Sequence, residues 1–391
     1  MNWIFLILLI PGIYFGLASL YQLILALASH SYQTIPQPKD VPSKKSWVLV
    51  PAYREDAVIL YSVSQNLQVI KNHPSWKLAV IADQLQEDTI TQLEKMGAEV
   101  IRVSFDKSTK VKALNAALGS PFSERDFDLL VILDADNVMD SSFVKEAEKN
   151  AALGFRVIQG ERLASNTGKP IELLDALSEK ANQELLCKGA NQLGLSSKLT
   201  GSAMVLDFAL ARKVMPQLQA VGGFDKELEL WLTSHREYIR YAPEIQVWDE
   251  KVRSHEAFAK QRGRWLESQY TFFKKSIGPA FKSLFSGNVD YFHKSLQLAL
   301  PPRALAPIGI QAGFISSLLL GSSLLSAIFF FSFLALALSY LIVLPSSLWA
   351  QHWKTILVAI PRLIGAAFQA LTWMRKSKGQ FLHTSHQATE S

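Results

Sequence analysis

Asp134 and Asp136 close an apolar run, Leu129-Leu-Val-Ile-Leu133, that has the character of a buried strand. In an extended chain, residues two apart point to one face, so both carboxylates are expected to address one ligand. Two carboxylates facing a diphosphate would repel it. A divalent cation between them reverses that sign and stabilises charge building on a leaving diphosphate. Oxygen ligands and phosphate suit Mg2+ or Mn2+. The plainer alternative is an acidic strand-to-turn junction, with Asp136 and Asn137 as turn formers. A chain of this length contains about one Asp-x-Asp by chance, so other residues must carry the claim.

Gln261, Arg264 and Trp265 stand at i, i+3 and i+4, hence on one face of a helix. Arg264 offers a bidentate fork to phosphate oxygens, Trp265 a flat apolar face to a sugar ring, and Gln261 an amide to hydroxyls. The wider stretch 255–285 also reads as a basic amphipathic helix on lipid headgroups, with Phe258, Phe272, Phe273 and Phe281 against Lys274, Lys275 and Lys282. Asp225 follows Gly222-Gly223 and precedes an apparent helix, Lys226 to Thr233. A carboxylate there suits a general base taking a proton from an attacking hydroxyl, a role typically worth about 10²–10⁴ in rate. Read without that role it is a helix N-cap worth about 1 kcal/mol. Glu227 is the rival base. Gly201 and Ser202, in Thr200-Gly-Ser202, would let an acceptor approach the backbone; a simple turn accounts for them equally.

The elements that must position these groups alternate. Strands are expected at Trp47-Val-Leu-Val50, stopped by Pro51, then at Lys77–Ala82, Glu99–Val103 and Leu129–Leu133. Helical segments fall between them at 55–72, 87–96 (with Gly97 as C-cap) and 110–118, and another runs to Gly154 behind Asp140 or Ser141. Repeated β-α units with continuous apolar strands imply an α/β fold with a parallel sheet covered on both faces. Ligands bind beyond the carboxyl ends of such strands. Three strands end there in polar side chains: Tyr53 to Glu55, then Asp83, then Asp134 and Asp136. Neither a Gly-x-Gly-x-x-Gly turn nor a phosphate-binding Gly-x-x-x-x-Gly-Lys loop is present, which argues against dinucleotide and P-loop folds.

The 391 residues are 49% hydrophobic, and the apolar ones concentrate in two terminal stretches. Residues 1–29 read as a retained membrane helix, with a signal peptide as the rival. Lys39, Lys44 and Lys45 follow it, which puts residue 30 onward in the cytosol. Residues 30–46 form a linker, 47–255 the cytosolic domain and 256–303 the amphipathic region. Residues 304–344 are about twice one crossing and read as a hairpin turning at Gly321-Ser-Ser323. Residues 345–391 supply a helix lying in the interface, its apolar run 353–374 interrupted by Lys354, Pro361 and Arg362, and a polar tail holding His383 and His386. Trp3, Trp349, Trp353 and Trp373 sit at apolar boundaries, as interfacial anchors do. The net charge of +6 is scattered and no nucleic-acid motif appears, so no nucleic-acid partner is expected. A single cysteine, Cys187, excludes an intrachain disulfide. Three expected spans without an intramembrane charge pair or repeat argue against a transporter.

Taken in order, Val48-Leu-Val-Pro-Ala-Tyr-Arg-Glu55, Asp83, Lys110-Val-Lys-Ala-Leu-Asn115, Asp134-Ala-Asp136, Thr200-Gly-Ser202, Asp225-Lys-Glu-Leu-Glu-Leu230 and Gln261-Arg-Gly-Arg-Trp265 span residues 47–270. This set resembles the membrane-embedded family 2 glycosyltransferases of the cellulose- and hyaluronan-synthase-like group. The resemblance implies a GT-A domain with transmembrane helices at both ends, at the inner or plasma membrane. It implies a UDP-sugar donor, Mg2+ or Mn2+, a glycan or lipid-linked acceptor, and partner subunits for export. By the same resemblance Glu55 and Asp83 contact uracil and ribose, beside Ala52 and Tyr53. Lys110 lies near the nucleotide, Asp134 near the sugar diphosphate, and Asp136 with Asp134 at the metal. Asp225 is the base, Gly201 and Ser202 face the acceptor, and Gln261, Arg264 and Trp265 close over the diphosphate and acceptor. Phe224 stands where the family usually has an acidic residue, and Val111 where it has a small one. Two alternatives therefore stay open: a single-addition transferase on a lipid-linked acceptor, and a silent nucleotide-binding membrane scaffold.

Overall fold

The computed structural model describes residues 3–36, 38–252 and 254–376; the side chains of 347–352, 355–360, 362 and 363 are not among the described parts. Among the described residues eight strands form one sheet: β1 Ser46–Tyr53, β2 Trp76–Asp83, β3 Glu99–Val103, β4 Leu129–Ile132, β5 Val138–Met139, β6 Val157–Ala164, β7 Met204–Asp207 and β8 Ile239–Asp249. Their order is β3-β2-β1-β4-β7-β6-β8-β5. The first four are parallel, as the alternating pattern predicts. The sheet as a whole is mixed, because β7 runs antiparallel to both β4 and β6, and β5 antiparallel to β8.

Helices cover both faces. In chain order they are α1 Trp3–His30, α2 Ile59–Ile70, α3 Glu87–Lys95, α4 Lys110–Leu118, α5 Phe143–Ala152, α6 Pro170–Asn182, α7 Ala190–Gln192, α8 Phe208–Val214, α9 Phe224–Ser234, α10 His255–Phe285, α11 Val289–Leu298, α12 Ala306–Leu319, α13 Ser323–Val343 and α14 Ser346–Lys376. Alternate residues of one strand enter opposite cores. Val48 and Val50 join Val131, Val63 and Phe143 on one side. Trp47 and Leu49 join Leu130, Leu114 and Leu228 on the other. This double burial explains why the central strands read as unbroken apolar runs.

Three expectations need correction. Pro51 does not stop the first strand, which continues to Tyr53. Leu133 N–H donates to Leu49 O at 3.1 Å, so odd-numbered β1 residues face β4. β4 ends opposite Leu49, so no partner awaits the N–H that Pro51 lacks. Second, Asp134 and Asp136 are not on extended chain: β4 stops at Ile132, and Asn137 N–H closes a turn onto Asp134 O at 3.1 Å. The alternating-face argument therefore does not apply to them. Third, the 304–344 hairpin forms, with Gly321 at φ 68° in its turn, but its first arm is short. The 14 residues of α12 reach about 21 Å, less than a bilayer core. Among the described residues, only α1 and α13 are long and apolar enough to be candidate membrane spans. They lie side by side, Gly12 and Gly16 of α1 facing Ile328, Phe329 and Ser332. Helix α14 runs through Pro361 as one helix and packs along α10. His383 and His386 lie outside the described residues.

Candidate active site

Site residues gather at the carboxyl edge of the parallel strands. At the end of β1, Ala52 is buried, and Arg54 turns at φ 56° to bond Gln84 at 2.8 Å and cover the Tyr53 ring at 5.1 Å. Glu55 opens the next segment, its carbonyl accepting from Val58 and Ile59 N–H. At the end of β2, Asp83 is 3% exposed, and its Oδ1 is buried without a hydrogen-bond partner. Burial pushes its carboxyl above the usual range. Ser108 and Arg54 oppose this, although the Ser108 hydroxyl is not within hydrogen-bond distance. A carboxylate oxygen in that state fits an N–H donor such as a nucleobase edge.

Lys110 is the first residue of α4, which Thr109 caps by accepting from Lys112 N–H at 3.2 Å. Its ammonium pairs with the Asp134 carboxylate and donates to Gly201 O at 2.8 Å. It also lies 5.3 Å from the centre of the Phe224 ring, a cation–π distance. One side chain thus ties α4, the 134–136 turn, the 200–202 loop and the start of α9. Phe224, flagged in the sequence as a departure, has a place here as the apolar face under Lys110.

Gly201 turns at φ +86°, and a Cβ there would lie 3.9 Å from Asp225 Cβ. Asp225 sits in the first turn of α9, across this loop, with Lys226 Nζ at 3.4 Å. Glu227 points elsewhere: its Oε2 accepts from Gln219 N–H at 2.9 Å and Ala220 N–H at 2.7 Å. It fastens the loop before α9.

The residue that sequence reading undervalued is Asn137. It is fully buried, and its Oδ1 accepts from Asp134 N–H at 3.2 Å and from the Ser202 hydroxyl. Its Nδ2 donates to Asp136 Oδ1 at 3.2 Å and Asp249 Oδ1 at 3.4 Å. Asn66 holds the Asn137 carbonyl at 2.8 Å. Behind it Asp249 pairs with Arg162 at 2.5 Å and Lys251 at 2.6 Å, and Arg162 reaches Thr200 O at 3.2 Å. Burial alone would raise the Asp249 carboxyl; Arg162 and Lys251 outweigh it and hold the group well below the usual carboxylate range. The signal available in the sequence was only an Asn after two aspartates, which also marks an ordinary turn.

Gln261, Arg264 and Trp265 lie on α10 as expected. Ser268, one turn on, abuts Gly223 just before Asp225, so this helix backs the loop that leads to Asp225. Gln261 Oε1 is buried without a partner, and Trp265 is 39% exposed with the Arg262 guanidinium stacked at 4.4 Å. Among the described residues Gln261 makes no hydrogen bond to the 134–136 turn. Among the described residues no group of three or more His, Cys, Asp or Glu forms a cage for a metal. Asp134 and Asp136 form a smaller set, of the kind Mg2+ or Mn2+ uses when substrate phosphates complete its shell.

Comparison with known proteins bears on this geometry. Residues 44–268 match the profile described as "Glycosyltransferase like family 2". A curated relative, the probable glycosyltransferase YdaM of Bacillus subtilis (strain 168), is 23% identical over 265 residues, which cover 62% of this chain and 59% of that protein. Among solved structures, the mannosyltransferase PcManGT from Pyrobaculum calidifontis, in complex with GDP-Man and Mn2+, superposes with a TM-score of 0.53. It is 16% identical, over 92% of this chain and 96% of its own. That likeness concerns the fold.

Proposed function

Since this chain belongs to glycosyltransferase family 2 and is a glycosyltransferase of GT-A-like α/β fold, we propose that it moves a sugar from a UDP-sugar to a glycan or lipid-linked acceptor. The observation that carries this reading is the meeting of Lys110, Asp134, Gly201 and Asp225 at the carboxyl edge of the sheet. The buried, unpartnered oxygen of Asp83 supports a base-binding role, with Ala52, Tyr53 and Glu55 along the nucleoside. Lys110 and Arg264 hold diphosphate oxygens. Asp136 with Asp134 holds Mg2+ or Mn2+, which when bound neutralises charge on the diphosphate. Gly201 and Ser202 let the acceptor lie close to the backbone, and Gln261 and Trp265 address its hydroxyls and ring face.

Asp225 takes the proton from the acceptor hydroxyl as that oxygen attacks the anomeric carbon and the bond to the diphosphate breaks. A single in-line displacement inverts that carbon, so an α-linked donor gives a β-glycoside. The two apolar helices α1 and α13 favour a membrane anchor, and Lys39, Lys44 and Lys45 favour a cytosolic site at the inner or plasma membrane. Both cellulose- or hyaluronan-synthase-like polymerisation, with partner subunits for export, and single addition fit this placement. The test is equilibrium binding of UDP- and GDP-sugars to the detergent-purified protein, followed by NMR of the anomeric carbon in the product. A UDP-sugar preference and an inverted product support the reading; a retained configuration contradicts it.

A further inference from the structure

Arg262 stands inside the Gln261–Trp265 stretch, and the mechanism above gives it no task. Its guanidinium lies 4.4 Å from the centre of the Trp265 ring and 4.9 Å from that of Phe258. Those rings stand three residues after it and four before it on α10, hence on its own helix face. One Nη donates to Asp175 Oδ1 at 2.5 Å. Asp175 belongs to α6 and is 5% exposed, and Phe258 is buried in a small core with Ile171, Val252 and Ala366. A carboxylate and two rings thus hold one guanidinium.

What this arrangement fixes is Trp265. The indole is partly exposed, so packing does not surround it. A guanidinium stacked on one face restricts its rotation and leaves the other face open. An ion pair drawn out of water adds little net stability over apolar side chains of similar size, so stability alone gives no reason for Asp175 and Arg262 here. Orientation does. Asp175 is a firm anchor because α6 is itself held. Leu173 and Leu177 pack against Leu344, and Arg303 donates to Ser178 O at 2.7 Å and Asn182 Oδ1 at 2.6 Å. Helix α10 is held as well, with Trp373 of α14 against Gly263.

Resting on the glycosyltransferase reading, in which Trp265 faces the acceptor, we infer that Arg262, anchored by Asp175, is a positioning residue: it fixes the Trp265 indole with one face covered and the other presented to the acceptor sugar. Both residues act through Trp265. A ring offered on one face only restricts how a sugar stacks on it, and so restricts which hydroxyl is brought forward. Ser268, one turn beyond Trp265, abuts Gly223 two residues before Asp225, so a displaced indole changes where a stacked sugar lies relative to that loop. Lysine cannot replace Arg262, because an ammonium has neither a flat face for the indole nor a fork for the carboxylate.

The test uses the full-length protein labelled with 5-fluorotryptophan, in which Trp265→Phe identifies the Trp265 fluorine signal by its loss. Asp175→Leu removes the anchor without touching the ring, and should shift and broaden that signal in detergent. A purely structural role would lower the melting temperature and leave the signal in place. Transfer is then measured in membranes of cells that make the protein, where its acceptor is at hand. Asp175→Leu and Arg262→Gln should each lower sugar transfer about tenfold, with nucleotide-sugar binding and hydrolysis by water kept within about twofold. The double variant should be no worse than either single one, because both break the same relay. Arg262→Lys should not restore transfer, whereas Asp175→Glu should restore part of it. An unmoved Trp265 signal in Asp175→Leu, or wild-type transfer in both single variants, overturns the inference. Failure of the wild type to bind any nucleotide-sugar would instead overturn the functional reading beneath it.

Discussion

Replacing Asn137 with alanine removes a side chain that touches Asp134, Asp136, Ser202 and Asp249 together. Two of its bonds go to ionised carboxylates and two come from neutral donors. Asp134 N–H keeps Ser202 Oγ at 3.1 Å, and Asp249 keeps Arg162 and Lys251, so neither is left bare. The loss is then about 3 kcal/mol, from about 1 for a neutral bond and up to about 2 for a charged one. For a domain of this size that corresponds to about 6–12 °C in melting temperature. Thermal unfolding in detergent reads this, and Mn2+ titration followed by electron paramagnetic resonance reads the metal site. Asn137→Asp keeps the shape but sets a third carboxylate against Asp136 and Asp249, and should be worse on both measurements. A melting temperature within 1 °C of wild type, with unchanged Mn2+ affinity, would refute the role of Asn137 as the positioning residue of the turn.

The remaining predictions concern Asp225 and Glu227, Lys198 and the α10–α14 contact. Asp225→Asn should lower kcat by about 10²–10⁴ with donor affinity kept, measured by nucleotide release. Glu227→Gln should instead cost about 1–2 kcal/mol in unfolding experiments, because it weakens two backbone caps, and leave kcat within a few-fold. Lys198 has a folded pKa of about 8 against an ordinary 10.5. Between those values the unfolded chain holds a proton that the folded one has released, so stability rises with pH across that window. Lys198→Met should abolish that rise in pH-dependent melting. At Gly263 a Cβ would lie 2.5 Å from Trp373 Cβ, so Gly263→Val should force α14 off α10, cost about 1–3 kcal/mol and raise the acceptor KM.

Much of this arrangement was legible in the chain. The apolar runs ending at Asp83 and Asp134 mark strand tips because both cores bury alternate residues, leaving polar groups only where the strands stop. Lys110 reads as a helix start, and the structure sets it against Asp134. What escaped depends on partners distant in sequence. Pro51 is tolerated because β4 is short, a fact about Ile132 and not about Pro51. Asn137 is a turn former by type and a hub only because Ser202 and Asp249 arrive from elsewhere. Glu227 stands in the sequence as the rival of Asp225, and that its carboxylate fastens the loop before α9 is visible only in the structure. The mixed second half of the sheet follows from β7, whose four residues lie far along the chain from the β4 strand they pair with.

The most direct test of the central claim is nucleotide release by the full-length protein from its bound donor, with and without Mn2+ or Mg2+, beside Asp136→Ala and Asp225→Asn. Metal-dependent release that disappears in both variants, while both still bind nucleotide, is the predicted result. Release that persists without metal, or in Asp225→Asn at the wild-type rate, would contradict it.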